Sequence, residues 1–274
     1  MTAADAASPR LVALDIDGTV LHEDGSASPR VRQAVRAAVQ AGHEVMLATG
    51  RSVATTLPVL EQLRITPEYV VCSNGAITLR RDADAEGGYR REIVETFDPS
   101  EVLTTIRGAL SDARYAVEDE TGFFRYTESF PQGAVGSASR QVDFEGLLDV
   151  EATRVVVISP NHGTEEFLQV VEKMGLHRVS YAVGWTAWLD IAPDGVNKAT
   201  AMERVRERLD VPLDRVVAVG DGRNDIEMLE WASRHGWGVA MGQAPSDVRA
   251  AAASVAGPVA SDGLADVLES LVRP

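Results

Sequence analysis

The sequence predicts an α/β protein: a parallel sheet covered by helices, with a second α/β unit inserted between its two halves. Three observations predict this. Short apolar runs alternate with helix-periodic segments over residues 11–75 and again from Thr186 onward, the pattern of strands joined by helical crossovers. The charged, Gly-containing stretch at 80–91 interrupts the first series as a boundary or an exposed hairpin. Several apolar runs also end in small or ionisable residues, and open α/β sheets bind ligands outside the carboxyl ends of their strands.

The elements follow in order. Leu11-Val12-Ala13-Leu14 reads as a buried strand, and Asp15-Ile16-Asp17-Gly18-Thr19 turns the chain at its end. Ser28-Pro29 opens a helix, an N-cap residue followed by proline in the first turn. Val31, Ala34, Val35, Ala38 and Val39 give it an apolar face, and Gly42 stops it. Glu44 to Ala48 is the next strand, ending at Thr49-Gly50-Arg51, and a second helix runs through Leu57, Leu60 and Leu63. Tyr69 to Cys72 is a strand ending at Ser73-Asn74-Gly75.

The middle is itself α/β. Asp98-Pro99-Ser100-Glu101 has the acid-to-Glu spacing of a helix start, and Val102, Ile106 and Leu110 follow it. Arg154 to Ser159 is a strand, and Thr164 to Met174 a helix closed by Gly175. Residues 111–150 carry no clear pattern. Trp188 to Ile191 is read as the strand that resumes the first fold, and Asn197 to Leu209 as a helix capped by Asn197. Arg215 to Val219 is a strand ending at Gly220-Asp221, Ile226 to Trp231 a short helix, Gly238 to Gly242 a strand and turn, and Leu264 to Val272 a closing helix.

Composition narrows the function. The 274 residues suit one large domain or two small ones, with 45% apolar and 24% charged residues. A net charge of −15 opposes nucleic acid and anionic membranes as partners. It does not exclude a phosphorylated substrate, because a bound cation and one lysine reverse the sign locally. The single cysteine, Cys72, cannot form an internal disulfide and reads as a buried strand residue. Met1 to Arg10 lack the pattern of a signal peptide, and no apolar run approaches the roughly 18 residues of a membrane helix. The cytoplasm is the expected location.

The chemistry sits at the strand ends. Of the acid pair, Asp15 is the better nucleophile, because the sheet holds its backbone; a carboxylate can attack phosphorus and split hydrolysis into two easier steps. A solvated Asp-Gly turn is the bland alternative. A Ca²⁺ loop fails on spacing: counting from Asp15, the sixth residue is Val20 and the twelfth Ser26, where glycine and glutamate belong. Asp221 and Asp225, four apart at a helix start, can face one cation, and hard oxygen ligands suit Mg²⁺; the alternative is helix capping. Thr49, the N–H of Gly50 and the N–H of Ile16 can hold phosphoryl oxygens. Lys198 adds a compact positive charge near a helix N-terminus, where the dipole does not favour it; alone it would read as a surface residue. Arg51 and Asn74 are placed to contact substrate or a cap, with a plain turn role open for Asn74. The histidines His22, His43, His162, His177 and His235 show no ligand spacing, and Phe123, Phe124, Tyr126, Trp185 and Trp188 read as core more than as a substrate platform.

Taken in order, the acid pair, Thr49-Gly50, Lys198 and Asp221-Gly222-Arg223-Asn224-Asp225 resemble the four motifs of the haloacid dehalogenase-like (HAD) phosphohydrolases, in their Cof-like branch. The resemblance covers residues 9–80 and 186–270. It implies a Rossmann-like, doubly wound parallel-sheet core over 1–81 and 187–274, with an inserted α/β cap domain over 82–186. It implies that Asp17 is the acid and base and that Asn224 contacts phosphate or orients the lysine. It also implies that Mg²⁺ is held by Asp15, the backbone carbonyl of Asp17 and Asp221, with Asp225 acting through water. Ala199 and Gln243 depart from the frequent glycine and asparagine at their positions. The implied activity is hydrolysis of a small phosphorylated metabolite, a sugar phosphate or a phosphorylated cofactor such as pyridoxal phosphate or flavin mononucleotide. A phosphomutase or phosphotransferase using the same aspartyl-phosphate, and a non-catalytic metabolite-binding module, are the alternatives.

Overall fold

The computed structural model describes residues 9–131, 136, 138–176, 179–183 and 187–273. Residues 1–8, His177, Trp185 and Thr186, each given an expectation above, lie outside these. The first series is β1 (Leu11–Leu14), α1 (Pro29–Gln40), β2 (Glu44–Leu47), α2 (Val53–Leu63), β3 (Tyr69–Cys72), β4 (Ile77–Arg81) and β5 (Tyr89–Val94). The middle contains α3 (Ser100–Ala109), β6 (Arg114–Asp119), β7 (Phe124–Tyr126), β8 (Ser139–Gln141), β9 (Ala152–Ile158), α4 (Thr164–Met174), β10 (Val179–Val183) and β11 (Trp188–Pro193). The chain closes with α5 (Lys198–Arg208), β12 (Val216–Gly220), α6 (Ile226–Ser233), β13 (Trp237–Ala240), α7 (Ser246–Ala251), β14 (Ser254–Val255) and α8 (Gly263–Val272).

The core is a five-stranded parallel sheet in the order β14-β13-β12-β1-β2. Strands β1 and β12 are buried along their whole length, which is why they read as unbroken apolar runs. Alternate residues of β1 serve opposite faces. Val12 and Leu14 pack with α1, α2 and α8 on one side; Leu11 and Ala13 pack with Ala201, Met202 and Val205 of α5 and Met228 of α6 on the other. The sheet is therefore doubly wound. Ser28 caps α1 as the sequence predicts, its side chain accepting from the Val31 N–H at 3.0 Å. Val39, expected on the apolar face, lies 40% exposed in the last turn. The Ala48–Val71 bridge sets β3 beside β2, and β3, β4 and β5 form an antiparallel sheet. The stretch at 80–91 is thus the turn region of the β4–β5 hairpin.

The middle folds around a six-stranded sheet in the order β10-β11-β9-β6-β7-β8. Helices α3 and α4 cover one face, with Leu103, Ile106, Phe167 and Val171 against Val155, Val157, Leu189 and Ile191. Asp98 does not cap α3 as expected. It sits one residue further out and accepts from the Ser100 N–H and hydroxyl, while Pro99 is the N-cap. The strand at Trp188 also needs correction. It does not resume the parallel core but pairs antiparallel with β9 and β10, so the border expected at 186/187 falls ahead of it. Its composition gives the reason: Leu189 and Ile191 alternate with Trp188, Asp190 and Ala192, the mark of a strand with one apolar face.

His43, expected to be incidental, is a buried staple. Its Nδ1 accepts from the Arg10 N–H at 3.1 Å, so Nε2 carries the proton towards the Leu271 carbonyl at 3.3 Å. This ties the start of β1 to the end of α8. Burial lowers its pKa from the ordinary 6.5. The folded state therefore binds fewer protons than the unfolded one, and stability drains away as pH falls below about 6.5. We expect the melting temperature to drop between pH 7.5 and 5.5, and to drop less in His43→Leu, although that variant starts lower. Equal drops in the two proteins would remove His43 as the cause.

Candidate active site

The carboxyl edge of the parallel sheet gathers the candidate residues. After β1, the Ile16 carbonyl accepts from the N–H groups of Thr19, Val20 and Leu21 at 3.3, 3.0 and 2.8 Å. This tight turn keeps Asp15 at the strand end and swings Asp17 outward. Gly18 adopts φ +78°, and a Cβ there would sit 2.1 Å from Asp221 Oδ2; the position requires glycine for both reasons. Thr49, buried after β2, accepts the Arg51 N–H on its hydroxyl at 3.1 Å. Gly50 lies under the Asn74–Asn224 pair, in which Asn224 Nδ2 donates to Asn74 Oδ1 at 2.9 Å. Ser73 and Asn74 both adopt the left-handed conformation, φ 49° and 53°.

Lys198 joins the parts. Asn197 forms a capping box with Thr200 at the start of α5, which fixes the next residue. The Lys198 ammonium, wholly buried, donates to Asp15 Oδ1 and to Asp225 Oδ1, each at 2.6 Å. Asp225 Oδ2 in turn accepts from the N–H groups of Asp221 and Gly222 at 3.0 and 2.9 Å. Gly220 makes room for this, because a Cβ there would meet Asp225 Cγ at 2.4 Å. Gln243, noted in the sequence only as a departure, donates to the Gly18 carbonyl at 2.6 Å and to Asp221 Oδ2 at 3.2 Å. It thereby links the first and last motif loops; a glutamine in a loop carries no local signal of that.

Among the described residues, Arg51 pairs with Asp17. Its Nε and Nη2 donate to the two oxygens of Asp17 at 2.8 and 2.5 Å, a bidentate fork. Asp17 is the outermost of the acids, its side chain 62% exposed. Cys72 is buried in β3, and burial pushes its thiol up to about 12, which makes it inert as a nucleophile.

Asp15, Asp221 and Asp225 bring carboxylate oxygens within 4.8 Å of one another. Three buried carboxylates face one buried ammonium. Burial alone would lower the pKa of Lys198, but Asp15 and Asp225 outweigh it and raise it, so the lysine stays charged. The surplus negative charge falls on the acids. Burial, with repulsion from Asp225 and Asp221 exceeding what Lys198 relieves, raises Asp15 well above its usual range, and burial plus Asp225 raises Asp221 to about 7. A divalent cation fits this donor set: it balances the surplus, and the ligands are hard oxygens. With Asp225 committed to Lys198 and to two backbone N–H groups, the oxygens of Asp15 and Asp221 are the more available.

Between this edge and the middle sheet lies a cleft lined by Asn74, Lys198, Asn224 and Glu227 on one side and by Ser180, Asp190 and Ala192 on the other. The sequence reading missed this second wall, because it assigned β11 to the core and left β10 unread.

The model of the haloacid dehalogenase-like hydrolase family matches residues 12–268. The chain is 27% identical over 276 residues to the 5-amino-6-(5-phospho-D-ribitylamino)uracil phosphatase YitU of Bacillus subtilis, covering 95% of this chain and 97% of that protein. It is 30% identical over 260 residues to a phosphoglycolate phosphatase of Natronomonas pharaonis, covering 94% and 96%. Among solved structures, the HAD subclass IIB sugar phosphatase BT4131 shares the fold with a TM-score of 0.78 at 22% identity, over 95% of this chain and 98% of that one.

Gly18→Ala tests the packing at the first loop. We expect the rise in melting temperature induced by a divalent cation to require about tenfold or more higher metal concentration, the usual scale for disturbing the support of a ligand. An unaltered titration would show that Gly18 and Asp221 do not pack as described.

Proposed function

Because the chain belongs to the haloacid dehalogenase-like hydrolases, we propose that it is a Mg²⁺-dependent phosphatase that releases phosphate from a small phosphorylated metabolite through an aspartyl-phosphate on Asp15. The observation that carries this reading is the buried Lys198 held between Asp15 and Asp225. It fixes one oxygen of the nucleophile and sets a positive charge beside it.

Asp15 attacks phosphorus with Oδ2, the oxygen not engaged by Lys198, and the ester P–O bond breaks. Asp17 gives its proton to the departing oxygen. A water then attacks the acyl-phosphate, Asp17 takes the water's proton, and the bond from phosphorus to Asp15 breaks to free phosphate. Thr49, with the N–H groups of Gly50 and Ile16, holds the phosphoryl oxygens, and Lys198 offsets their charge. Asn224, oriented by Asn74, borders the same space. Asp15, Asp221 and the Asp17 carbonyl would hold Mg²⁺, with Asp225 in the outer layer; when bound, the ion draws charge from the phosphoryl oxygens. Both oxygens of Asp17 accept from Arg51 in this structure, so the fork opens before Asp17 carries the proton. The middle unit, from Phe97 to Pro193 by its strand pairing, serves as the cap that excludes water and selects the leaving group.

A panel of phosphate esters tests the reading. Phosphate release should require Mg²⁺, stop with EDTA, and fall by about a thousandfold or more in Asp15→Asn, as expected for loss of a nucleophile. Release indifferent to Asp15 would sink the mechanism, and alcohol appearing in excess of phosphate would indicate transfer to a second hydroxyl. Asp17→Asn separates acid catalysis from attack. Turnover of alkyl phosphates should fall by about 10²–10⁴-fold, and that of p-nitrophenyl phosphate, whose leaving group needs no proton, far less. Equal losses would argue that Asp17 is not the acid.

A further inference from the structure

Building on the phosphatase reading, we propose that the cleft selects a small, uncharged, hydroxyl-rich leaving group, a polyol or a sugar, and that Asp190 is the residue that recognises its hydroxyl.

Asp190 lies on the face of the middle sheet turned away from α3 and α4, since its neighbours Leu189 and Ile191 pack under those helices. It lines the cleft together with Lys198 and Asn224. Three N–H groups pin it: Arg154 Nε and Nη2 donate to Oδ1 at 2.7 and 2.6 Å, and Trp188 Nε1 donates to Oδ2 at 2.9 Å. The Arg154 side chain is only 6% exposed, so the carboxylate is held by a rigid base. A carboxylate offers about four acceptor sites. Two on Oδ1 and one on Oδ2 are taken, which leaves a single fixed site on Oδ2 for a donor from the cleft.

The remaining lining sets the chemical class. Glu227 adds a second carboxylate to the cleft, and the one cation among its described lining residues, Lys198, is already shared between Asp15 and Asp225. Among the described lining residues, a leaving group bearing a carboxylate or a second phosphate would meet two acids and no unpaired cation. Ser180 and Asn74 offer further hydrogen bonds, whereas Ala192 and Val196 are the only apolar residues of the described lining, both small. Among the described residues of this sheet face, Phe130 packs edge-on to Trp188 at 6.4 Å, and no aromatic side chain lines the cleft. A described lining without an aromatic platform suits a short polyol better than a flavin or pyridine ring. A site built to accept a substrate hydroxyl also discriminates strongly against analogues without it.

The test compares kcat/KM for glucitol 6-phosphate, ribitol 5-phosphate and glycerol 3-phosphate with that for phosphoglycolate, pyridoxal 5′-phosphate, flavin mononucleotide and p-nitrophenyl phosphate. A polyol ester should rank first among the metabolites. In Asp190→Asn, the ratio of kcat/KM for that ester to kcat/KM for p-nitrophenyl phosphate should fall at least tenfold, mostly through KM. Trp188→Phe, which keeps the acid and removes one of its donors, should move the ratio in the same direction by a smaller factor. First rank for phosphoglycolate or for either ring compound, or an unmoved ratio in Asp190→Asn, overturns the proposal. Calorimetric binding of the polyol esters and of inorganic phosphate to Asp15→Asn protein, with and without Asp190→Asn, separates the two readings. Selective weakening of the polyol esters without wild-type turnover would defeat the phosphatase reading and keep the subsite; equal weakening of esters and inorganic phosphate would defeat the subsite.

Discussion

The ion pairs of Lys198 constrain everything around them. An ammonium that is wholly out of water carries a desolvation penalty of several kcal/mol, and it stays buried here because Asp15 and Asp225 each reach it at 2.6 Å. Those three residues come from the end of β1, the start of α5 and the loop after β12. None of these positions can shift without exposing an uncompensated charge to an apolar interior. The glycines follow from the same constraint. Gly220 lets Asp225 lie across the backbone, and Gly18 lets Asp221 approach the first loop. Asp225 also ties down the loop it begins from, so the charge network and the backbone hydrogen bonds support each other.

Much of this was legible in the sequence, and the divisions are physical. The core strands stand out because both faces are buried, leaving uninterrupted apolar runs such as Val216 to Val219. The strands of the middle sheet mix Arg114, Glu118 and Arg125 with apolar residues, since one face meets helices and the other does not. Periodicity over three to six residues cannot separate such segments from loops, so β6, β7 and β8 passed unread. The strand at Trp188 was recognised as a strand but given to the wrong sheet, because pairing with β9 and β10 is a non-local fact. The same holds for side chains. Asp15, Asp17, Lys198, Asp221 and Asp225 could be nominated from chemistry beside a strand end or helix start. Their partners could not: Arg51 meets Asp17, Asn224 meets Asn74 and Gln243 meets Asp221 only through the fold.

The turn after β3 shows how tightly the two sheets are sewn together. Ser73 donates from its hydroxyl to Glu118 Oε2 at 2.9 Å, reaching into β6, while Asn74 beside it accepts from Asn224 in the core. Two consecutive residues in left-handed conformations, each carrying a cost of about 1 kcal/mol or more, thus face opposite partners. Gly75 completes the turn at φ +105°, where a Cβ would strike the Asn197 carbonyl at 2.3 Å. Strain in this turn is matched by contacts on both sides of the cleft.

Strand β11 has a consequence beyond its pairing. It leaves the middle sheet at Pro193, and within five residues the chain has become the first residue of α5, Lys198. Asp190 and Lys198 are therefore carried by one short, continuous arm, with Arg154 gripping one end and Asp15 the other. A change in β11 that retunes the wall of the cleft pulls on the same arm that sets the lysine. On the roles proposed for Asp190 and Lys198, preference and rate are mechanically geared. Ser180 reaches the same cleft from β10, a strand outside that arm but packed against the Arg223–Asp225 turn.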